Sequence, residues 1–295
     1  MYLSPLDFDA ATSPFIYRQL SAIVTHLVYA AGIFYPNAIW FHDPRYDQHV
    51  FFAALLTNYV FLVLAAWVAG AITEHELGER KFIPATVAGL LCLLSFHSQV
   101  AVITGLTEGL SWFLLALGFL FYLRRQAWPL AVVLALAIVQ RETILIVFAS
   151  LSGIVLLLRD DDRRFNGFVL AWSLACCVAY VLMRTTFLPI HGADQTSLAF
   201  ILNQLRRFPL TRDLVFQGFV SQNLLWLYVA AVAFVGDDRS RKLWLPSLLG
   251  VFAVLVAISF AEGIGNNVGR IASILDPILA GFIAAACVRL ERKLA

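Results

Sequence analysis

Charge is what this sequence has least of. Only 14% of its 295 residues are Asp, Glu, Lys or Arg, against about 25% in an ordinary soluble domain. A soluble chain of this length needs more polar surface than that to cover its core. Acidic and basic residues nearly cancel, at 19 against 21, so no basic excess argues for a nucleic-acid partner. Cysteine is equally scarce. Cys92, Cys176, Cys177 and Cys287 all lie in apolar runs and read as buried thiols, with neither a zinc spacing nor a disulfide framework. No cleavable leader is expected either, since the first fifteen residues include Pro5, Asp7, Asp9 and Pro14 and lack a charged-then-apolar pattern. No Gly-x-Ser-Gly and no His-Glu-x-x-His lies on an apolar segment, which removes the common intramembrane proteases. The run Glu74-His75-Glu76 lacks that zinc spacing and reads as a solvated connector.

What the chain has in abundance is apolar side chains. They make up 61% of it before glycine is added, and the mean hydropathy is +0.81. This is the composition of a polytopic membrane protein. A helix needs about 20 apolar residues to cross about 30 Å of hydrocarbon. Barrel strands would show alternation, whereas these runs are continuous. The fold expected is therefore all-α, a transmembrane helical bundle of nine spans near 48–72, 82–100, 107–123, 127–140, 143–158, 167–187, 218–236, 243–261 and 271–288. The fourth and fifth are short enough to be a broken pair meeting at Gln140-Arg141-Glu142. The whole of 1–295 reads as a single integral membrane domain. Residues 1–47 form an extracytoplasmic acidic loop with an interfacial helix, 48–288 form the bundle, and 289–295 form a cytoplasmic tail.

The basic residues orient it. Thirteen of the 21, including all three lysines, fall in alternate loops at Arg80-Lys81, Arg124-Arg125, Arg159 to Arg164, Arg239 to Lys242 and Arg289 to Lys293. By the positive-inside rule these loops are cytoplasmic, the N-terminus is extracytoplasmic and the C-terminus cytoplasmic. Before the first span, Leu20, Ile23, Val24, Leu27, Val28 and Ala31 share one helical face, with Gln19, Ser21, Thr25, His26 and Tyr29 on the other. That pattern predicts an amphipathic helix over 17–31 lying in the outer interface. Were it to cross instead, the N-terminus would be cytoplasmic. Phe200, Ile201, Leu202 and Leu205, interleaved with Gln204, Arg206 and Arg207, predict a second such helix.

Polar groups in a membrane protein are costly, so those retained point to function. They gather on the expected outer face: Asp7, Asp9, Arg18, Asp43 and Asp47 before the first span, then Glu108, Arg141, Glu142, Arg206, Arg207, Glu262, Asn266 and Arg270. Acids able to move a proton and arginines able to hold phosphate thus converge on one side. Arg141 and Glu142 are sequence neighbours and cannot face each other on a helix, so each needs another partner, Glu108 being one candidate for Arg141.

Four elements together carry a family resemblance. They are the acidic N-terminal segment leading into Pro14-Phe15-Ile16-Tyr17-Arg18-Gln19-Leu20, Thr107-Glu108 opening a span, Arg141-Glu142-Thr143 ending a short span, and Glu262 with Arg270 and Pro277 before the last. The chain resembles the GT-C superfamily of polytopic glycosyltransferases, in particular its short bacterial members. The resemblance implies a GT-C-like fold in a bacterial cytoplasmic membrane and a polyprenyl-phosphate sugar as donor, used on the outer face. It implies an acidic residue in the first outer loop that serves as base for an inverting transfer or helps to bind a divalent metal ion. Asp7 and Asp9 stand in that position, with Asp43 and Asp47 in reserve. Arg141, Arg270, Arg206, Arg207 and Arg18 are the candidates for the donor phosphate, supported by Glu108, Glu142, Glu262 and Asn266. Membrane lipids are the expected surroundings. The family's pattern begins with a span before the acidic loop and the sequence given does not, so either the start is misassigned or a leading helix is lost or supplied by a membrane protein partner. Two further classes stay open: a non-catalytic subunit or assembly factor, and a lipid-carrier transporter.

Overall fold

The computed structural model describes residues 19–32, 48–95, 108–158, 162–186, 222–261 and 271–295. Among them every regular element is helical. The order is α1 (Gln19–Ala30), α2 (Gln48–Leu77), α3 (Phe82–Leu93), α4 (Glu108–Leu123), α5 (Ala127–Ile138), α6 (Glu142–Leu157), α7 (Arg163–Thr186), α8 (Asn223–Val235), α9 (Leu245–Ala261) and α10 (Asp276–Leu294). A π-helical turn, Ser240–Trp244, leads into α9, and a 3-10 turn, Ser273–Leu275, leads into α10. Each of the nine apolar segments read from the sequence overlaps one of the helices α2 to α10. Four stretches are long and apolar enough to cross a membrane: His49–Leu77, Arg163–Met183, Ser240–Ser259 and Ser273–Leu294. The helices α3, α4, α5, α6 and α8 are shorter, at 12 to 16 residues.

The breaks between helices have local causes. At the α4–α5 junction Arg125 takes a left-handed backbone, φ 57°, which turns the chain sharply for a residue with a Cβ. Between α2 and α3 the same job is done by Gly78, φ 69°, at no steric cost. Between α5 and α6 the amides of Gln140 and Arg141 both bond back to Ala137, closing the end of α5 before α6 starts at Glu142.

Helix α10 lies at the centre, and every side chain from Asp276 to Ala286 is buried. It packs on α2, α3 and α8. Association of apolar helices in lipid gains little from water exclusion and depends on close backbone approach. That is what Gly281 provides: a Cβ there would lie 3.0 Å from the Ala69 carbonyl of α2. In the same place the Thr73 hydroxyl is shared between the carbonyls of Ala69 and Gly281, 3.1 Å from each. Aromatic rings fill the next layer. Phe119, Trp244 and Phe282 meet edge to face or tilted at 5.6 to 6.0 Å, and Tyr228 joins them at 5.8 Å from Phe282.

The outer surface is apolar to a degree that suits lipid. Phe82 is 83% exposed, Trp128 82% and Phe234 81%. All three stand close in sequence to the basic loops, at the level where aromatic side chains concentrate in membrane proteins. Those loops come together at one end of the bundle. Arg289 reaches the carboxylates of Glu76 and Asp237 at 3.6 and 3.4 Å, Arg292 pairs with Glu79, and Arg125 lies 3.7 Å from Asp162.

Helix α1 departs from expectation in the direction of its faces. The polar side chains Gln19, Ser21 and Thr25 are buried, while Leu27 and Ile23 are exposed. An outward polar face presumes water outside. In an apolar surround the polar groups have partners only within the protein, and α1 packs them against the bundle.

Candidate functional site

The end opposite the basic loops carries a layer of buried polar side chains, and its centre is an ion pair. Glu108 opens α4 and Arg141 stands between α5 and α6. Their side chains meet, and both are almost wholly buried at 2% and 3% exposure. The pairing expected from the sequence is the one the fold contains. Charges so far from water are retained only when paired and hydrogen-bonded, because the desolvation cost of each alone is several kcal/mol.

Neighbouring groups extend the layer. Gln140 accepts from both the backbone N–H and the hydroxyl of Ser21, at 3.0 and 2.9 Å, and donates to the Ser111 hydroxyl at 3.0 Å. The amide of Leu20 bonds the Val139 carbonyl at 3.3 Å. The α5–α6 junction thus answers for two of the first-turn amides of α1, those of Leu20 and Ser21, which a helix start leaves without partners in its own backbone. On the other flank the Gly109 amide donates to the Asn58 side chain of α2 at 2.5 Å. Only glycine permits that approach, since a Cβ at 109 would strike the Asn58 carbonyl. Asp276, in the first turn of α10, is 2% exposed and accepts from Ser95.

Level as well as proximity defines this layer. Asp276 precedes Arg289 by thirteen positions, Ser95 follows Lys81 by fourteen, and Arg141 follows Arg125 by sixteen. At 1.5 Å per residue each lies about 20–24 Å from the basic end. Helices α4, α6 and α10 start here with Glu108, Glu142 and Asp276 in their first turns, where the helix dipole favours negative charge. Helices α3 and α5 end here. The 30-residue α2 runs on past Asn58 for ten more positions.

Of the sequence-derived candidates, Glu108 and Arg141 come together. Glu142 heads α6 half-buried and makes no ion pair among the described residues. Asp7, Asp9, Asp43, Asp47, Arg18, Arg206, Arg207, Glu262, Asn266 and Arg270 lie outside the described residues. Among the described residues no three His, Cys, Asp or Glu side chains could hold a metal ion together. The candidate metal ligands Asp7 and Asp9 are not among them. Asn58, Ser95 and Ser111 were not singled out from the sequence, although Thr57-Asn58 in the middle of an apolar run was a signal of the kind that marks retained polar groups.

What the layer can do chemically follows from its commitments. The Arg141 charge is balanced by Glu108, so the pair presents a fixed dipole and a set of oriented amides and hydroxyls rather than a free cation. Comparison adds no name to this arrangement: no family model, curated protein or solved structure matches the chain.

Proposed function

We propose that the protein is a GT-C-like membrane glycosyltransferase that moves a sugar from a polyprenyl-phosphate donor to an acceptor on the extracytoplasmic face of a bacterial cytoplasmic membrane. On this reading α2 to α10 make nine crossings, with the N-terminus outside and the C-terminus inside. Supporting it are the sequence resemblance and one structural observation, the meeting of buried polar side chains around Glu108 and Arg141 at the end away from the basic loops. A hydrocarbon layer of about 30 Å begun at the basic end reaches about 6–10 Å beyond this polar layer. The layer is then the floor of a site open to the outer leaflet, walled by α2, where a lipid-borne phosphate meets a polar acceptor.

The acceptor hydroxyl attacks the anomeric carbon as an aspartate takes its proton. The bond to the donor phosphate breaks with its electron pair leaving on the phosphate oxygen, and the carbon inverts. Asp7 or Asp9 supplies the base, with Asp43 and Asp47 in reserve, and Arg270, Arg206, Arg207 and Arg18 offset the charge on the departing phosphate. Arg141 and Glu108 hold the floor that positions these groups, with Glu142, Glu262 and Asn266 supporting. The assay is transfer of labelled sugar from polyprenyl-phosphate sugar in proteoliposomes. Loss of transfer in Asp7→Asn or Asp9→Asn at unchanged protein level supports the mechanism, and transfer that survives replacement of all four aspartates removes it.

The engagement of Arg141 by Glu108 favours a second reading, a non-catalytic subunit of a larger membrane complex, because it leaves that arginine poorly placed to hold a phosphate. Transfer seen only after co-purification with a stoichiometric partner would establish this instead. Uptake of the lipid carrier without sugar transfer would point to a transporter.

A further inference from the structure

We propose that the groove between α5 and α7 at the basic end binds an anionic phospholipid of the adjoining leaflet, independently of the reaction at the other end. Three observations meet there. The first is an exposed aromatic face of continuous character. Phe168 and Trp172 stack at 6.5 Å with their planes 6° apart, the Trp172 indole N–H bonds the Ala131 carbonyl of α5 at 3.1 Å, and Trp128 stands one turn before Ala131. Val132 continues the face, 59% exposed.

The second is charge at the mouth of that face. Arg124, Arg163 and Arg164 are exposed and make no ion pair among the described residues. Arg164 lies one helical turn before Phe168, on the same stripe of α7. The two loops carry five arginines, at 124, 125, 159, 163 and 164, against three aspartates, at 160, 161 and 162. A surplus of positive charge beside lipid-facing aromatic rings complements a phosphate headgroup with its acyl chain.

The third is the way the α4–α5 turn is fixed to the start of α7. Among the described residues Arg125 is the non-glycine residue in the left-handed region, a conformation that costs of order 1 kcal/mol or more and is retained where the surroundings impose it. Here Asp162 pairs with its guanidinium, which lies 5.2 Å from the Phe165 ring and 5.9 Å from that of Tyr122, while Tyr122 donates to Asn166. Arg125 thus pins the α4–α5 turn to the start of α7 and consumes Asp162. Arg124, next to it in the turn, and Arg163, opening α7, are both exposed.

The experiment is tryptophan quenching in vesicles that contain either brominated phosphatidylglycerol or brominated phosphatidylcholine at equal mole fraction. The Trp128→Phe/Trp172→Phe variant identifies the contribution of this groove. Phosphatidylglycerol is expected to quench that contribution with an association preference of about fivefold over phosphatidylcholine. The preference disappears in Arg124→Gln/Arg163→Gln/Arg164→Gln, or is reduced in Arg164→Gln alone should the triple variant fail to fold. It persists in Arg241→Gln/Lys242→Gln/Lys293→Gln, which removes charge elsewhere at the same end. Equal quenching by the two lipids in the unaltered protein overturns the proposal, as does a preference that survives loss of the three arginines or that falls equally in the remote variant. Abolition of the preference by inorganic phosphate assigns the charges to a soluble ligand and overturns the lipid assignment.

Discussion

Glu108 and Arg141, one opening α4 and the other joining α5 to α6, form a buried ion pair that ties the start of one helix to the turn between two others. It joins three consecutive helices at one level, the start of α4, the end of α5 and the start of α6.

Removing one member of the pair leaves the other charge buried and alone. Glu108→Gln and Arg141→Met are each expected to destabilise by about 3–5 kcal/mol, while the double variant recovers most of the loss. A double-mutant cycle from unfolding in detergent measures the coupling. Single and double variants of additive effect would show that the pair is not coupled.

Close approach at Gly109 makes a steric prediction. Gly109→Ala drives a methyl into the Asn58 carbonyl and to within 2.6 Å of its side-chain oxygen, at a cost of about 1–3 kcal/mol. Gly153 on α6 has nothing within 4 Å of a new Cβ, so Gly153→Ala gains about 0.5–1 kcal/mol of helix propensity. Thermal unfolding of the two variants should move in opposite directions.

The capping of α1 by Gln140 predicts a local effect. Gln140→Ala removes the acceptor for both Ser21 groups and the donor to Ser111. Hydrogen exchange of the α1 amides is expected to rise by about tenfold or more, since a buried hydrogen bond is worth about 1–1.5 kcal/mol and two are lost. The exchange of α10 stays unchanged if the effect is confined to the cap.

At the basic end Asp237 predicts acid sensitivity. Its carboxyl is half-buried, which alone would raise its value. The hydroxyl and amide of Ser240 and the Arg289 guanidinium outweigh that and hold it below the ordinary 3.8. A depressed carboxylate stabilises the fold above its unfolded value, and that contribution is lost as pH falls through the lower, folded value. As pH falls below the ordinary 3.8 the unaltered protein should lose stability more steeply than Asp237→Asn. Equal slopes would deny the carboxylate this role.

Much of the architecture was legible because membrane helices announce themselves by composition. The boundaries of α4, α5 and α6 agree closely with the apolar runs, and the α5–α6 break at Gln140-Arg141-Glu142 was visible as polar residues within a long apolar stretch. That Arg141 needed a partner other than Glu142 was legible, with Glu108 one candidate, and the fold supplies that one. The faces of α1 were not. Periodicity separates Ser21 and Thr25 from Leu27 equally well whichever side points outward, and only the presence of Gln140 as a partner decides it. Asn58 was passed over because a lone amide in a span has no pattern around it.

The one-dimensional scarcity of charge was enough to determine an all-helical chain with apolar helices and a basic end, because each of those depends on local composition. The tertiary structure alone decided that Gln140, Ser21 and Asn58 lie in one layer with Glu108 and Arg141. Buried polar groups must find partners, and which partners are within reach is set by how helices of different lengths stack, not by their order in the chain.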